Sequence, residues 1–233
     1  MRLMRRLVDG VTLLVGKINC RRRVALPADY SPVKVNLGCG LAVAPGWINI
    51  DGSLNALIAS LPRFLHRMAY SLTGANAYYS ESEYCRLLGE YHFVHHDLTQ
   101  GLPLADGVVD YVYSSHFIEH LSRNDAAHLL RETYRVLKPG GTLRISVPDL
   151  EYAFSLYKAG EKEKMLSDYF FVESDDSYYA RHKYMYDFNM LVDALLQVGF
   201  QDIRRCSFRQ GLTPDIEMLD NRPSDSLFVE AAR

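Results

Sequence analysis

The chain has 233 residues, 48% of them hydrophobic and 23% charged, the composition of an ordinary globular protein with one sizeable core. Its formal net charge of −2 hides an asymmetry: residues 1–23 carry seven Lys/Arg against one acid, leaving 19 basic and 27 acidic residues in the remainder. That excludes the usual pattern of a nucleic-acid binder, whose positive charge sits on the body. Cys20, Cys39, Cys85 and Cys206 form no C-x-x-C pair, which argues against a zinc ribbon or disulfide framework and for a reducing compartment.

The first 23 residues place Leu3, Leu7, Val11, Leu14 and Ile18 at helical spacing among Arg2, Arg5, Arg6, Lys17 and Arg21–Arg23. This predicts a basic amphipathic helix, which either makes peripheral membrane contact through residues 1–23 or packs its apolar stripe on the domain or a second subunit. Asp9-Gly10 interrupts the apolar run and no small-residue cleavage site follows, so the segment is not read as a secretion signal. Residues 1–32 are read as arm and linker, and 33–233 as one domain. The expected location is cytoplasmic, or peripheral to the inner face of a membrane.

Val33 to Leu37 is a short apolar run that breaks into Gly38-Cys39-Gly40, and a second run, Trp47 to Ile50, ends in Asp51. A strand feeding a glycine turn is where a parallel sheet receives its ligand, and a carboxylate at the next strand end can accept both hydroxyls of a ribose. A dinucleotide fingerprint would need a third glycine, but position 43 is Val. Residues 38–46 are also too few for a full crossover helix.

Residues 52–90 are too long for one crossover helix. They read as an insertion over the cofactor pocket, with Leu54–Leu72 helical but broken at Pro62, and Glu81–Leu88 helical. Tyr91–His95 is the third predicted strand, leading into His96-Asp97-Leu98. Val108–Ser114 is the fourth, running into Ser115-His116-Phe117-Ile118-Glu119-His120. A helix over Asn124–Leu137, a turn at Gly140-Gly141 and a fifth strand over Thr142–Val147 follow. Residues 149–186, rich in tyrosine, are assigned to the substrate side. Leu191–Val198 is the last predicted helix, and Gln201–Phe208 and Ser226–Ala231 an antiparallel pair. His116-x-x-Glu119-His120 matches an inverted zinc-protease pattern, but it starts at a strand end rather than on a helix and is not read as a peptidase.

The glycine turn, the acid at Asp51 and the segment Y-R-V-L-K-P-G-G-T-L-R-I-S-V-P together resemble class I S-adenosylmethionine-dependent methyltransferases, in a variant whose first helix is reduced to a turn. The resemblance runs from about Val33 to the C-terminus, apart from the insertion. It implies an α/β, Rossmann-like, seven-stranded and mostly parallel sheet with an antiparallel last strand and helices on both faces. It also implies S-adenosyl-L-methionine as cofactor, held by Asn36, Leu37, Gly38, Cys39, Gly40, Asp51 and Gly52, with Asp97 at the adenine amino group and Leu98, Ser114 and Ser115 nearby.

Arg181-His182-Lys183-Tyr184-Met185-Tyr186-Asp187 resembles the H-x-x-x-Y-D segment of bacterial sugar and cell-surface methyltransferases, which implies O-methylation of a small-molecule or glycan hydroxyl. In that reading His116 is the first candidate base and His120 the second, Glu119 orients an imidazole, and His182 serves the acceptor side. Ubiquinone-pathway O-methyltransferases carry Glu-x-x-Glu-His at this place and use a divalent metal. Here His116 replaces the first Glu, and no metal site is expected. Metal-assisted methylation of a phenolic or quinone-precursor substrate stays open, beside a nucleotide-sugar or NAD-dependent oxidoreductase and a non-catalytic cofactor-binding protein. No nucleic-acid partner is expected, and monomer and homodimer both remain open.

Overall fold

The computed structural model describes Gly10 and residues 23–26, 30–71, 73–171 and 181–233. The helix expected over the arm falls outside the described residues apart from Gly10. Seven strands form one sheet: β1 (Lys34–Leu37), β2 (Trp47–Asp51), β3 (His92–His95), β4 (Val109–Ser115), β5 (Leu137–Pro148), β6 (Gln201–Cys206) and β7 (Ser226–Ala232), in the order β3-β2-β1-β4-β5-β7-β6. All neighbouring pairs are parallel except those of β7, which runs antiparallel to β5 and β6. Leu37 lies opposite both Ile50 and Ser114, so the ends of β1, β2 and β4 share one rim. This is the sheet expected of the Rossmann-like methyltransferase fold.

The two faces of the sheet differ in kind. One buries Val35, Leu37, Ile48, Ile50, Val112, Leu143, Ile145 and Val229 in the main core, with residues of α4 (Arg123–Val136) and α7 (Phe188–Val198). Helix α4 starts at Ser122, whose hydroxyl accepts the Asp125 N–H, and presents Ala126, Leu129, Leu130 and Val136 to the sheet. Helix α7 starts at Asp187, whose side chain accepts the Met190 N–H, and stops at Gly199 in the left-handed conformation.

The opposite face buries polar side chains. From β4 to β5 the chain steps one way across the sheet, and from β1 to β2 the other way. Right-handed connections therefore put a helix after β1 on the face opposite α4. Residues 38–46 form no helix. The vacated face is covered by residues 207–220, the connection between β6 and β7. Asp215 accepts bonds from Lys34 Nζ (2.6 Å) and Trp47 Nε1 (2.8 Å), and Asp220 from Tyr113 OH (3.1 Å) and Arg144 Nη2 (2.6 Å). Arg144 is fully buried and also donates to Glu230 (3.3 Å) and to the carbonyls of Gln210 and Ser207. Each charge in this network is paired and hydrogen-bonded, the condition under which buried ions are tolerated.

The insertion consists of α1 (Leu54–Ala59), α2 (Arg63–Ala69) and α3 (Glu81–Glu90), with the break at Pro62 as expected. Its own small core joins Ile58, Ala69, Tyr84 and Leu88 and takes in Leu41 of the glycine turn and Phe93 of β3. Within residues 149–186, where the sequence offered aromatic richness but no defined elements, lie α5 (Leu150–Lys158), α6 (Lys162–Met165) and a π-helical turn over Leu166–Phe170. Residues 216–219 add α8 (Ile216–Leu219), also unforeseen.

Candidate active site

At the rim of β1, Gly38 and Gly40 adopt φ of 63° and 53°, a left-handed conformation that costs a glycine little and other residues more. The Asp51 carboxylate holds this turn: Oδ2 accepts the Gly40 N–H (2.8 Å) and Oδ1 the Ser53 N–H (2.6 Å). Each oxygen keeps a lone pair for a further donor, as a ribose requires. Asn36 is buried and ties the turn down through Ala42 O (2.8 Å) and Asn49 Oδ1 (3.1 Å). Leu37 and Leu98 point into the main core, so they shape the rim rather than line it.

A Cβ on Gly40 would meet nothing within 4 Å, so the turn faces open space. The Ser53 and Ser114 hydroxyls are buried without a partner among the described residues. Asp97 uses Oδ1 for Thr99 and leaves its other oxygen uncommitted among them. Gly52 packs on the His96 backbone. Burial, and then the Asp51 charge, push the Cys39 thiol well above its ordinary value, so it stays protonated rather than nucleophilic. This cradle fits a nucleoside with free hydroxyls.

A second cluster stands beside the first, joined through Phe117. A Cβ on Gly38 would lie 2.1 Å from the Phe117 ring, so the absence of a side chain at Gly38 admits this residue before it admits any ligand. His116 has a φ of 48°, unusual for a non-glycine residue, and strain of this kind concentrates at functional sites. Its Nε2 bonds Ser226 Oγ (2.8 Å), its Nδ1 lies 3.5 Å from Glu119 Oε1, and its side chain is 9% exposed. The expected free imidazole at the pocket mouth is thus a held one.

Glu119 is fully buried, and neither carboxylate oxygen has a hydrogen-bond partner among the described residues. Its main-chain carbonyl accepts the N–H groups of Lys183 (2.7 Å) and Tyr184 (3.2 Å), which brings His182 alongside. His120 Nδ1 meets Arg181 O (3.2 Å) and His182 Nδ1 meets Tyr169 O (2.7 Å). A carbonyl only accepts, so both rings carry a proton on Nδ1. Burial holds His120 below the ordinary histidine value, opposed by the Glu119 charge. Its imidazole is therefore neutral at pH 7.

Comparison with known proteins adds a likeness. A methyltransferase domain model matches residues 57–145. A search of curated proteins gives no match. Among solved structures, a SAM-dependent methyltransferase from Archaeoglobus fulgidus is similar over 98% of this chain and 94% of its own, at 16% identity and a TM-score of 0.50. A possible histamine N-methyltransferase from Thermotoga maritima is similar over 99% and 91%, at 18% identity and a TM-score of 0.50. At these identities the likeness is one of fold.

The structure brings Asp51 together with Gly40 and Ser53, and His116 with Glu119, His120 and His182. Phe117, Ser226 and the Tyr169 carbonyl were missed in the sequence. Ser226 lies 110 residues from the histidine it bonds, and nothing in its neighbourhood announces that contact.

Proposed function

We propose that this chain is an S-adenosylmethionine-dependent methyltransferase that methylates a hydroxyl of a small polar acceptor, with sugars and glycans the class favoured by the resemblance of residues 181–187. The observation that carries the reading is the buried, unbonded Glu119 carboxylate set among three imidazoles, one aromatic ring away from Gly38. S-adenosylmethionine supplies an electrophilic methyl group on a sulfonium. The protein then has to align an acceptor oxygen and take its proton. His120 is the better placed base, neutral and with Nε2 3.8 Å from Glu119 Oε1, where the carboxylate would stabilise the imidazolium formed. His116 positions Glu119 and Ser226. Transfer of labelled methyl from S-adenosylmethionine to a panel of sugars, nucleotide sugars, catechols and amines tests this. Label on phenols or amines alone would overturn the sugar assignment.

A second reading is favoured by one further observation. Glu119, His120 and His182 each offer a ligand atom, all within 4.8 Å of one another, and both histidines anchor Nδ1 on a carbonyl as metal-binding histidines do. The donor set fits a transition divalent ion, which would bind the acceptor oxygen and make its proton easier to lose. Turnover abolished by chelator and restored by added divalent ion would favour this reading. Chelator-resistant turnover that still falls with His120→Gln would favour the base.

A further inference from the structure

We infer that the corner between α1 and α2 docks on an anionic lipid surface, its exposed apolar side chains entering the interface beside the basic arm. Leu61, Phe64 and Met68 are 41%, 70% and 70% exposed. Phe64 and Met68, four residues apart on α2, share one face of it, and Leu61 directly precedes its N-cap Pro62. The helix is fixed from its other side, where His66 and Ala69 are buried, so the apolar face is held outward by the fold. A surface helix of a soluble domain ordinarily presents polar residues there. Arg63 and Arg67 flank the face and are themselves tied back, Arg63 to Gly89 O (2.9 Å) and Arg67 to Glu81 (2.6 Å).

What this face meets is argued from the charge of the chain and the place where the arm joins the domain. Arg23 and Val24 line a cavity of about 420 Å³ together with Leu57 and Ser60, at the end of α1. Ser60 directly precedes Leu61, so Arg23, the last of the seven basic residues in 1–23, stands by the same corner. The rest of the chain is acidic. An anionic surface would repel the body and attract this corner, which selects an orientation as well as a partner. Each basic residue held near such a surface strengthens partition by about fivefold at moderate salt. Among the described residues no helix is long and apolar enough to cross a membrane.

The test uses the full chain. Trp47 is the single tryptophan and is 1% exposed, so F64W adds a reporter over a shielded background. Mixed with vesicles of phosphatidylcholine and phosphatidylglycerol, F64W should shift to the blue and be quenched by brominated acyl chains, and zwitterionic vesicles should leave it unchanged. Sedimentation with anionic vesicles should weaken as salt rises. It should fall about tenfold or more with Phe64→Ser and Met68→Ser together, given the apolar area lost, while S-adenosylhomocysteine binding stays intact as the folding control. Three results would overturn the proposal: no binding to anionic vesicles at low salt, binding without a change in F64W emission, or an emission already blue-shifted in vesicle-free buffer because protein covers the face.

Discussion

The glycine-turn cradle and the imidazole cluster are joined through Phe117, yet they are built on opposite principles. The cradle comes from one stretch, residues 36–53, and the Asp51 charge at its centre is met by two backbone N–H groups. The cluster is drawn from residues 116–120, 169, 181–184 and 226, and its central carboxylate has no hydrogen bond among the described residues. A satisfied acid holds a turn in place. An unsatisfied one, fully buried, costs stability and is retained where chemistry uses it.

The largest effect should come from breaking the cluster alone. His120→Gln should lower turnover by about 10²–10⁴ while S-adenosylhomocysteine affinity in calorimetry stays as in wild type, the range for loss of a general base. His116→Gln should have a smaller effect if that residue only positions its neighbours. The reverse ranking would return His116 to the role of base, as the sequence alone suggested.

Breaking the cradle should do the opposite. Asp51→Ala should weaken cofactor binding by about 1.5–3 kcal/mol, the range for hydrogen bonds to a charged group. Because Asp51 also anchors Gly40 and Ser53, the turn should loosen as well, so the fold is not expected to be wholly indifferent to this change. Gly38→Val should act through collision with Phe117. Wild-type affinity in both variants would mean the cradle lies elsewhere.

A smaller effect sharpens the contrast in stability. Glu119→Gln removes a buried carboxyl group that has no hydrogen-bond partner among the described residues and should leave the melting temperature unchanged or raise it, by about 2–4 °C for each kcal/mol gained in a chain of this size, even as turnover is lost. A clear drop in melting temperature would show that the carboxylate is structural. The smallest effect is a pH dependence. Burial holds His92, His95, His96 and His120 below the ordinary histidine value, so the folded chain binds fewer protons than the unfolded one. Stability should rise with pH up to about 6.5 and be lost on acidification through that window. His120→Asn should remove only the cluster's share, and thermal melts flat across this range would contradict the assignment.

How much could be read from the sequence follows the same division. The strands, the break at Pro62 and the turn at Gly38-Cys39-Gly40 were legible because each depends on neighbours in the chain. His116, Glu119 and His120 were legible as a group for the same reason, although which of them holds and which is held was not. His182 came through resemblance alone. The pairing of Arg144 with Asp220 and Glu230 spans 76 and 86 residues, and an arginine within an apolar strand carries no local sign of such partners. Nor did the sequence indicate that residues 207–220 would fill the place of a missing helix.

That missing helix has an electrostatic consequence. In dinucleotide-binding folds the glycine turn opens a helix whose N-terminus carries roughly half a positive charge, aimed at a pyrophosphate. Here residues 38–46 end in a strand, so the turn offers no such pole. Its nearest fixed charge is the Asp51 carboxylate. A ligand carrying phosphates meets a negative group without a helix pole beside it, whereas one carrying a sulfonium meets a counterion. The geometry of nine residues thus sorts ligands by the sign of their charge before any contact with the base or sugar is made.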